Sequence, residues 1–413
     1  MNLLITNIRQ LINVRENPRL LRGKDLAELP LIEQAYLQIS GDRISGYGSM
    51  DSIDKRIPVQ NEETWDAGGA AVLPCWCDSH THLVFAASRE AEFVDKIRGA
   101  QYAEIAAKGG GILNSALRLQ ETDAETLYQQ AWLRLQELIR LGTGSIEIKS
   151  GYGLTVESEL KMLRVIKRLK ENSPIPVKAS FLGAHTYPLQ YVNDHQGYIR
   201  EICEEMLPVI QSEKLADYID VFCENGFFSV PEAETVCRAG MAIGLRPKIH
   251  ANQLHLSGGT QLGVALGALS VDHLETMDAA AIEALAGSDT IGTLLPSAAF
   301  FLRMPFQPAR ALIDSGCAIA LASDFNPGSS PSGNMNLVVS LSCIQMKMLP
   351  EEAINAATLN GAFAMEMGEE LGSITIGKKA NLIFTRPIPS VAYLPYAFGT
   401  NLIDRVMIKG GFI

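Results

Sequence analysis

The sequence predicts an α/β protein: a TIM-like (β/α)8 barrel beside a small β-sandwich domain that is built from both ends of the chain. Three observations support this prediction. Short apolar runs alternate with amphipathic helical stretches, eight such runs can be counted, and nearly every run ends in a polar residue. Polar groups at the carboxyl ends of eight strands are typical of a barrel whose active site lies on that face. We expect the barrel to span residues 75–370 and the small domain to combine residues 1–74 with 371–413.

The two ends of the chain are predicted to be β-structure. Near the N-terminus, NLLITNIRQL is followed by AYLQISGDRISGYG, in which Gly41-Asp42 suits a turn between two strands. Near the C-terminus, GSITIGKKANLIF and DRVMIKGGFI have the same character. These segments are too few to form a separate domain at each end, so we expect them to join in one.

The middle of the chain shows helical periodicity between the apolar runs. DAETLYQQAWLRLQELIRL and ESELKMLRVIKRLKE repeat apolar residues at intervals of three and four, which predicts helices. The runs between such helices end at these polar residues: His80 and His82, Lys149, His185, Glu224, His250, His273, Ser297 and Asp324.

A doubly wound open sheet is the alternative architecture, but no G-x-G-x-x-G turn follows the first run. The glycine-rich AKGGGILNSA lacks that spacing and also lacks the lysine of a phosphate-binding loop. We interpret this whole segment, which includes Gly109–Gly111, as a mobile loop near the site.

The composition argues against several classes of function. The formal net charge is −11 and the cations are scattered, which argues against a nucleic-acid partner. No apolar span is long enough to cross a bilayer, and the N-terminus lacks the features of a signal peptide, so we expect no membrane association. Seven cysteines without framework spacing suit a reducing cytoplasm. Cys75 and Cys77 lie near the first histidines, but we interpret them as buried core thiols.

Five of the seven histidines fall at predicted strand ends. Alternate side chains of a strand share a face, so His80 and His82 point the same way, although each histidine alone could be an ordinary core residue. Five on one face favour a metal centre, with His80, His82 and His250 as ligands and Asp324 as the fourth. For Asp324, a helix N-cap or turn is the alternative. Imidazole and carboxylate ligands suit one divalent ion per chain, zinc or iron, and do not choose between them.

His273, in SVDHLE, is the predicted general base. It can take a proton from the attacking water, a role that matches a side-chain pKa near neutrality. Asp272 and Glu275 are the neighbours that could orient it.

These motifs resemble a known family. DSHTH, KIHANQ, DHLE and SDFNPG are similar to motifs of the amidohydrolase superfamily of metal-dependent barrels. More narrowly, HTHLVFAASRE, IEIKSGYGLTVESELKMLRVIKRL, FLGAHTYP and ASDFNPGSSPS resemble the imidazolonepropionases, and the likeness covers nearly the whole chain. The resemblance implies a small-molecule substrate, 4-imidazolone-5-propanoate, whose ring amide is hydrolysed to N-formimidoyl-L-glutamate in histidine degradation. It also implies a bound zinc or iron, and a homodimer is expected because such enzymes are commonly dimeric.

The resemblance places the metal ligands on the four residues already named. It places substrate contacts on the following residues: Arg89, Tyr152, His185, Gln253, Asn326, Gly328 and Ser329. In the implied chemistry, His273 and Asp324 pass the proton to the leaving ring nitrogen, and His185 polarises the ring carbonyl. Asn381 stands where amidohydrolases usually show an aspartate, which concerns the small domain.

Arg89 is expected to bind the propionate of the substrate, because a guanidinium forms two parallel hydrogen bonds with a carboxylate. The alternative is a solvated surface arginine paired with Glu90 or Glu92.

Two other functions stay open. A ring deaminase of the same superfamily would share the metal ligands, but it needs a carboxylic acid where this chain has Gln253, and an amide cannot exchange a proton. A catalytically inactive barrel that acts as a binding protein is the second, and the intact ligand set together with His273 argues against it.

Overall fold

The computed structural model describes residues 2–58, 60–99 and 111–413. Its β-strands are, in chain order, β1 Asn2–Ile12, β2 Leu31–Ser40, β3 Arg43–Ser49, β4 Glu62–Asp66, β5 Ala71–Pro74, β6 Trp76–Asp78, β7 Thr143–Lys149, β8 Val177–Ala184, β9 Tyr218–Cys223, β10 Arg246–Ala251, β11 Ser270–His273, β12 Ile291–Leu294, β13 Ile319–Leu321, β14 Leu382–Thr385, β15 Ile403–Ile408 and β16 Gly411–Phe412.

The α-helices of the described residues are α1 Glu90–Ile97, α2 Ile112–Glu121, α3 Ala124–Arg140, α4 Val156–Asn172, α5 His195–Arg200, α6 Leu207–Glu213, α7 Val230–Ala242, α8 Gly259–Ala265, α9 Ala279–Ala286, α10 Pro296–Leu302, α11 Ala309–Asp314, α12 Met335–Met346, α13 Pro350–Ala357, α14 Leu359–Phe363 and α15 Tyr393–Tyr396. A π-helical segment, Glu201–Met206, joins α5 to α6. Short 3-10 helices lie at Gly23–Ala27, Met50–Lys55 and Leu189–Tyr191.

Strands β6 to β13 pair in sequence order as one parallel sheet. Its two edges meet just beyond the strand ends, where Thr81 forms a parallel bridge with Phe325. There the amide of Asp324 donates to the carbonyl of His80 at 3.0 Å, and the amide of His82 donates to the carbonyl of Phe325 at 2.9 Å. The sheet thus curls into a nearly closed barrel with all strand carboxyl ends on one face. The TIM-like barrel is confirmed, and each of the eight apolar runs coincides with a barrel strand.

The first and last barrel strands end earlier than predicted. β6 ends at Asp78 and β13 ends at Leu321, so His80, His82 and Asp324 lie in the short segments that follow. Those segments leave the regular ladder, and Asp324 has a φ of +54°. This departure from strand geometry lets their side chains converge at the mouth of the barrel.

The remaining strands form a second, mixed sheet in the order β16-β15-β14-β5-β1-β2-β3. On one edge β1 pairs with β2, and on the other its first half pairs with β4 and its second half with β5. The sheet therefore forks, and it has its own core, which includes Ile5, Ile8, Leu37, Phe384 and Met407. Both ends of the chain join in one small domain, as expected, and the sandwich takes the form of this forked sheet. The residue boundaries of the domains stay a prediction.

Several local predictions are confirmed. The two-residue turn at Gly41-Asp42 joins β2 to β3, and Gly41 has a φ of +64°, as tight hairpin turns require. Cys75 and Cys77 are buried core thiols, and burial raises the pKa of Cys77 to about 11. Among the described residues, none of the helices is both long enough and apolar enough to span a membrane.

In the glycine-rich segment AKGGGILNSA, residues 107–110 lie outside the described residues. Residues 112–116 belong to helix α2, so the prediction of a mobile loop is wrong for that part. The described end of the segment begins at Gly111, whose amide donates to Glu92 Oε1 at 3.1 Å. Helix α2 follows at once, and its first residue, Ile112, reaches the cavity described below.

Candidate metal and active site

A cavity of about 440 Å³ opens at the carboxyl ends of the barrel strands. This is the size of a small-molecule site, and the C-terminal face is where barrel enzymes place their chemistry. The predicted site residues that line it are His82, Arg89, Tyr152, His185, His250, Gln253, His273, Asp324, Asn326, Gly328 and Ser329. His80 is fully buried beside the cavity, with its ring centroid 4.5 Å from that of His250.

Three histidines converge at the base of the cavity. His80, His82 and His250 each place a ring nitrogen within 4.8 Å of the other two. His80 Nδ1 donates to Asp272 Oδ2 at 2.7 Å, and His250 Nδ1 donates to Asp220 Oδ1 at 3.1 Å. The Nε2 atoms of His80 and His250 are buried without a hydrogen-bond partner among the described residues. A histidine that donates from one nitrogen to a carboxylate and leaves the other unpaired is arranged as a metal ligand.

Asp324 completes this group. Its Oδ1 lies 3.5 Å from His80 Nε2 and 3.6 Å from His82 Nε2. These distances are close to the ~3.3 Å that separates neighbouring ligands of a tetrahedral ion with bonds of about 2.0 Å. Burial raises the pKa of Asp324 to about 6. The next helix, α12, begins only at Met335, so Asp324 does not serve as its N-cap.

The residues present fit a divalent cation. Burial lowers the pKa of His80, His82 and His250 well below the usual histidine range, so the rings are neutral, which is the form that binds metal. The unpaired Nε2 atoms would each cost free energy in a buried site that holds no partner for them. Three imidazoles and one carboxylate make a donor set for a transition-metal ion.

His273 lies next to this group, with a strained backbone. It has a φ of +87°, and the following residue, Leu274, has a φ of +65°. Its Nδ1 lies 3.4 Å from Glu275 Oε1. Burial alone would lower the pKa of His273, but the charge and hydrogen bond of Glu275 outweigh it and the pKa is raised. Of the two predicted orienting carboxylates, Glu275 contacts His273, whereas Asp272 pairs with His80.

Arg89 lies at the rim of the cavity. Its Nε and Nη2 donate to Glu92 Oε2 at 2.9 and 2.6 Å. The two side chains are only 11% and 12% exposed, so this ion pair with Glu92 is largely buried and is not the solvated surface contact of the alternative interpretation. A Cβ at Gly328 would lie 2.2 Å from Arg89 Nη1, so only glycine leaves room for the guanidinium there.

Tyr152 and His185 line the cavity together. Their ring centroids are 5.5 Å apart, and both rings lie within 6 Å of the His82 ring. His185 Nδ1 lies 2.9 Å from the carbonyl oxygen of Gly151. A carbonyl only accepts, so the proton of the neutral ring is on Nδ1 and Nε2 carries a lone pair. Burial lowers the pKa of His185 to about 4, which keeps the ring neutral.

The loop that carries Tyr152 is held by a buried carboxylate in the first turn of α4. Glu159 accepts from the amides of Gly151, Gly153 and Leu154 at 3.1, 2.6 and 3.1 Å. Gly151 has a φ of +109° and Leu154 a φ of +55°, so the loop adopts a backbone that needs such external support.

The segment after β13 forms a compact turn around Asn326. Its side-chain oxygen accepts from the amides of Gly328 and Ser329 at 2.8 Å each. Ser329 Oγ donates to Asp324 Oδ2 at 3.1 Å. This turn therefore shapes both the metal carboxylate and the cavity rim.

Sequence reasoning missed several residues that line the cavity: Lys96, Ile112, Phe222, Phe227, Leu254, Leu302 and Met304. The apolar ones lie at strand ends, on helices and in loops, where nothing in the sequence distinguishes them from core residues. Lys96 lies on α1, seven residues after Arg89 and nearly two helical turns along. Burial, and then Arg89, lower its pKa.

Comparisons with known proteins identify the family of the chain. A family model described as the amidohydrolase family matches residues 236–413. An imidazolonepropionase of Flavobacterium johnsoniae is 57% identical over 411 residues, 99% of this chain and 99% of that protein. One from Christiangramia forsetii is 54% identical over 414 residues, all of both chains, and one from Clostridium tetani is 41% identical over 95% of this chain and 93% of its own.

Solved structures resemble the fold at low identity. E. coli guanine deaminase has a TM-score of 0.75 at 13% identity, covering 100% of this chain and 99% of its own. An adenosine deaminase from Xanthomonas campestris with bound zinc has a TM-score of 0.70 at 17% identity, covering 99% of this chain and 92% of its own. At such identity these likenesses show the fold alone.

The barrel, the small domain from both chain ends and the histidine-rich centre define a hydrolase of the amidohydrolase class. Within that class, the chain belongs to the imidazolonepropionase family.

Proposed function

We propose that the protein hydrolyses the ring amide of 4-imidazolone-5-propanoate and releases N-formimidoyl-L-glutamate in histidine degradation. The observation that carries this proposal is the 57% identity to an imidazolonepropionase across 99% of the chain. It is a carbon–nitrogen hydrolase of cyclic amides, and the cavity of about 440 Å³ suits a substrate of that size.

One zinc or iron ion per chain is the proposed cofactor, held by His80, His82, His250 and Asp324. When bound, such an ion polarises a carbonyl oxygen and lowers the pKa of water toward neutrality. The unpaired Nε2 atoms and the neutral state of the histidines support this ligand set.

The proton steps are assigned to His273 and Asp324. His273 accepts the proton of the attacking water, and Glu275 stabilises the charged ring that results. A ring nitrogen of His273 lies within 4.8 Å of an oxygen of Asp324. Asp324 is the second group assigned to carry the proton, because it lies between His273 and the other proposed ligands. The proton then goes to the leaving ring nitrogen as the C–N bond breaks.

For His185 we revise the sequence-based role. A neutral ring that donates from Nδ1 to Gly151 has no proton at Nε2, so it cannot polarise a carbonyl by hydrogen bonding. We propose that Nε2 accepts a hydrogen bond from an N–H of the substrate ring.

The propionate is assigned to Arg89. Glu92 occupies the Nε side of the guanidinium, so the Nη1 side, next to Gly328, is the one proposed to meet the carboxylate. Lys96 adds a second cation to the same wall. Substrate contacts are also proposed for Tyr152, and for the remaining predicted residues Gln253, Asn326, Gly328 and Ser329.

A cytoplasmic homodimer is proposed as well. All seven cysteines are free thiols, which supports a reducing compartment. Ile344 on α12 and Tyr396 and Phe398 at the neighbouring α15 are exposed apolar side chains, which a second copy could cover. Sedimentation at micromolar concentration tests this, and a monomer would contradict it.

The deciding experiment follows the ultraviolet absorbance of freshly made imidazolone propionate after protein is added. We expect the absorbance to decline with stoichiometric formimidoylglutamate. Release of ammonia from guanine or cytosine, without loss of the imidazolone, would favour the deaminase instead. Gln253 argues against that outcome because a carboxamide cannot act as an acid that protonates the ring at neutral pH.

A further inference from the structure

The interior of the barrel beneath the histidines holds an unusual set of charges. Barrel interiors are normally filled by branched aliphatic side chains. Here the interior contains five fully buried ionisable groups: Glu147, Lys149, Asp220, Lys248 and Asp272. Buried charges are unfavourable unless they are paired, and removing them for apolar residues is often neutral or stabilising. Their presence calls for a role other than stability.

Lys149, the last residue of β7, joins the two carboxylates that hold the metal histidines. Its Nζ lies 2.7 Å from Asp220 Oδ2 and 3.6 Å from Asp272 Oδ2. The third partner is Glu147, at 2.5 Å. Asp220 accepts from His250, and Asp272 accepts from His80. One ammonium group therefore links the supports of two ligands that come from different strands.

We propose that Lys149 is a positioning residue for the metal centre: it fixes the two aspartates so that His80 and His250 both present Nε2 to the same ion. The inference rests on the proposed function, because it assumes the metal site described above. Without the ammonium group the aspartates lose the cation that they share. In the part of the chain that the structure describes, no other lysine or arginine forms an ion pair with both of them.

The charge of Lys149 is maintained by the same contacts. Burial alone would lower its pKa, but Asp220, Glu147 and Asp272 outweigh burial and raise it. Asp272 has a second anchor, since Ser270 Oγ donates to its Oδ1 at 2.6 Å. Asp220 therefore meets Lys149 and His250 through different oxygens, whereas Oδ2 of Asp272 faces both Lys149 and His80.

A second buried lysine, Lys248, allows the direct contact of a lysine with the two aspartates to be distinguished from the presence of a nearby positive charge. Lys248 pairs with Glu147 and donates to the carbonyls of Ser79 and Ala364. Within the described residues, no ion pair of 4.0 Å or less joins Lys248 to Asp220 or Asp272. Its charge nonetheless lowers the pKa of Asp272. Lys248 therefore acts on Asp272 only through space.

The test compares two double variants that share Glu147→Gln. The first also carries Lys149→Met, and the second also carries Lys248→Met. Both remove one lysine and the same glutamate charge, so the net charge of the protein stays constant. Zinc affinity is measured by competition with a chelator, and the Tm of the metal-free proteins is measured in parallel. The first variant should bind zinc about 10- to 100-fold more weakly, as loss of groups that orient ligands does. The second should stay near the wild type, while both metal-free Tm values fall by similar amounts.

Equal loss of zinc affinity in the two variants would overturn the inference, and so would wild-type affinity in both. A wild-type protein that binds no zinc or iron would instead overturn the proposed metal centre and the inference with it. Where the methionine variant does not fold, Lys149→Gln with Glu147→Gln takes its place, and the same comparison decides.

Discussion

The two halves of the site differ in how they are built. His80, His82 and Asp324 closely follow barrel strands, and His250 lies within β10. All four are nearly completely buried, and His80 and His250 are held by carboxylates of the barrel interior. Arg89 and the other residues proposed to contact the substrate come from the loops after the barrel strands, and Arg89 is held by a local contact with Glu92. The metal half is thus fixed by the tertiary fold, and the substrate half by loop conformation. Substitutions in the metal half should abolish catalytic activity, and substitutions in the substrate half should mainly change substrate affinity.

The sharpest contrast is expected from His250→Ala. It removes a proposed ligand, so bound metal and nearly all activity should be lost, a greater loss than the ~10²–10⁴-fold expected for a general base alone. His255→Ala is the matched control, because its ring is 58% exposed and five residues further along. Metal analysis together with the turnover assay checks both. A variant at His250 with full metal content would move the ligand role elsewhere.

The next largest effect is expected from His273→Ala. This variant should keep its metal and lose about 10²–10⁴-fold in kcat, because the residue contributes a proton acceptor and no metal bond. Glu275→Gln should lower kcat less, since it removes only the charge that raises the pKa of His273. The pH profile of kcat for Glu275→Gln should shift to lower pH, because the pKa of His273 falls when that charge is removed. Wild-type turnover of His273→Ala would assign the role to Asp324.

Arg89→Ala should act on the substrate half. Loss of one partner of a buried charge pair costs roughly 2–5 kcal/mol, which corresponds to a ~30- to several-thousand-fold rise in KM if the propionate is that partner. Glu92→Gln is included in the same variant, because Arg89→Ala alone would leave that carboxylate without its cation. Arg98→Ala, an exposed arginine at the end of the same helix, is the control. Equal loss with a ring analogue that lacks the propionate would contradict the assignment.

The same contrast shows what sequence can and cannot predict. The four proposed metal ligands stand out in the sequence because burying a polar residue at the end of an apolar strand costs free energy unless it has a partner or a function. They are His80, His82, His250 and Asp324. Lys149 was also visible at a strand end, but its partners Asp220 and Asp272 come from other strands, and only the closed barrel brings them together. The fold class followed from the alternation of eight apolar runs with helical stretches and from the polar residues at the ends of those runs.

The contacts around the cavity could not be predicted from the sequence in this way. Phe222 and Leu254 line the cavity, yet as apolar residues they carry no signal that separates them from the core. The role of Asp272 was similarly open, because whether it meets His80 or His273 depends on the backbone φ at the strand end. Even the tautomer of His185 became clear only from its contact with a carbonyl.

Metal affinity should depend on pH through Asp324. Burial raises the pKa of its carboxyl to about 6, so below that pH a metal ion must displace a proton to bind. The three histidines have lowered pKa values and are already neutral there. Affinity should therefore fall about tenfold per pH unit below pH ~6 and be nearly constant above it. A chelator competition series from pH 5 to 8 measures this, and a slope of two or more protons would implicate the histidines as well.

The smallest effect is expected from Glu159→Gln, which alters the substrate half without touching the substrate. The carboxylate accepts three amide hydrogen bonds from the loop that holds Tyr152, and Gly151 of that loop fixes His185. A carboxamide has one oxygen and one amino group, and the amino group would face N–H donors, so at least one of these bonds is lost. Tyr152 and His185 should still contact the substrate, but from displaced positions. KM should therefore rise only about 3- to 10-fold, while metal content stays at the wild-type level.

Glu157→Gln provides the control for this variant, because it removes the same charge from the same helical turn at an exposed position. It should leave KM unchanged. If Glu159→Gln instead lost metal, the two halves of the site would be coupled through this loop, and the separation between a fold-determined metal half and a loop-determined substrate half would not hold. If both glutamine variants raised KM equally, the cause would be the loss of negative charge at the start of α4, and not the loss of the hydrogen bonds that Glu159 accepts from the loop.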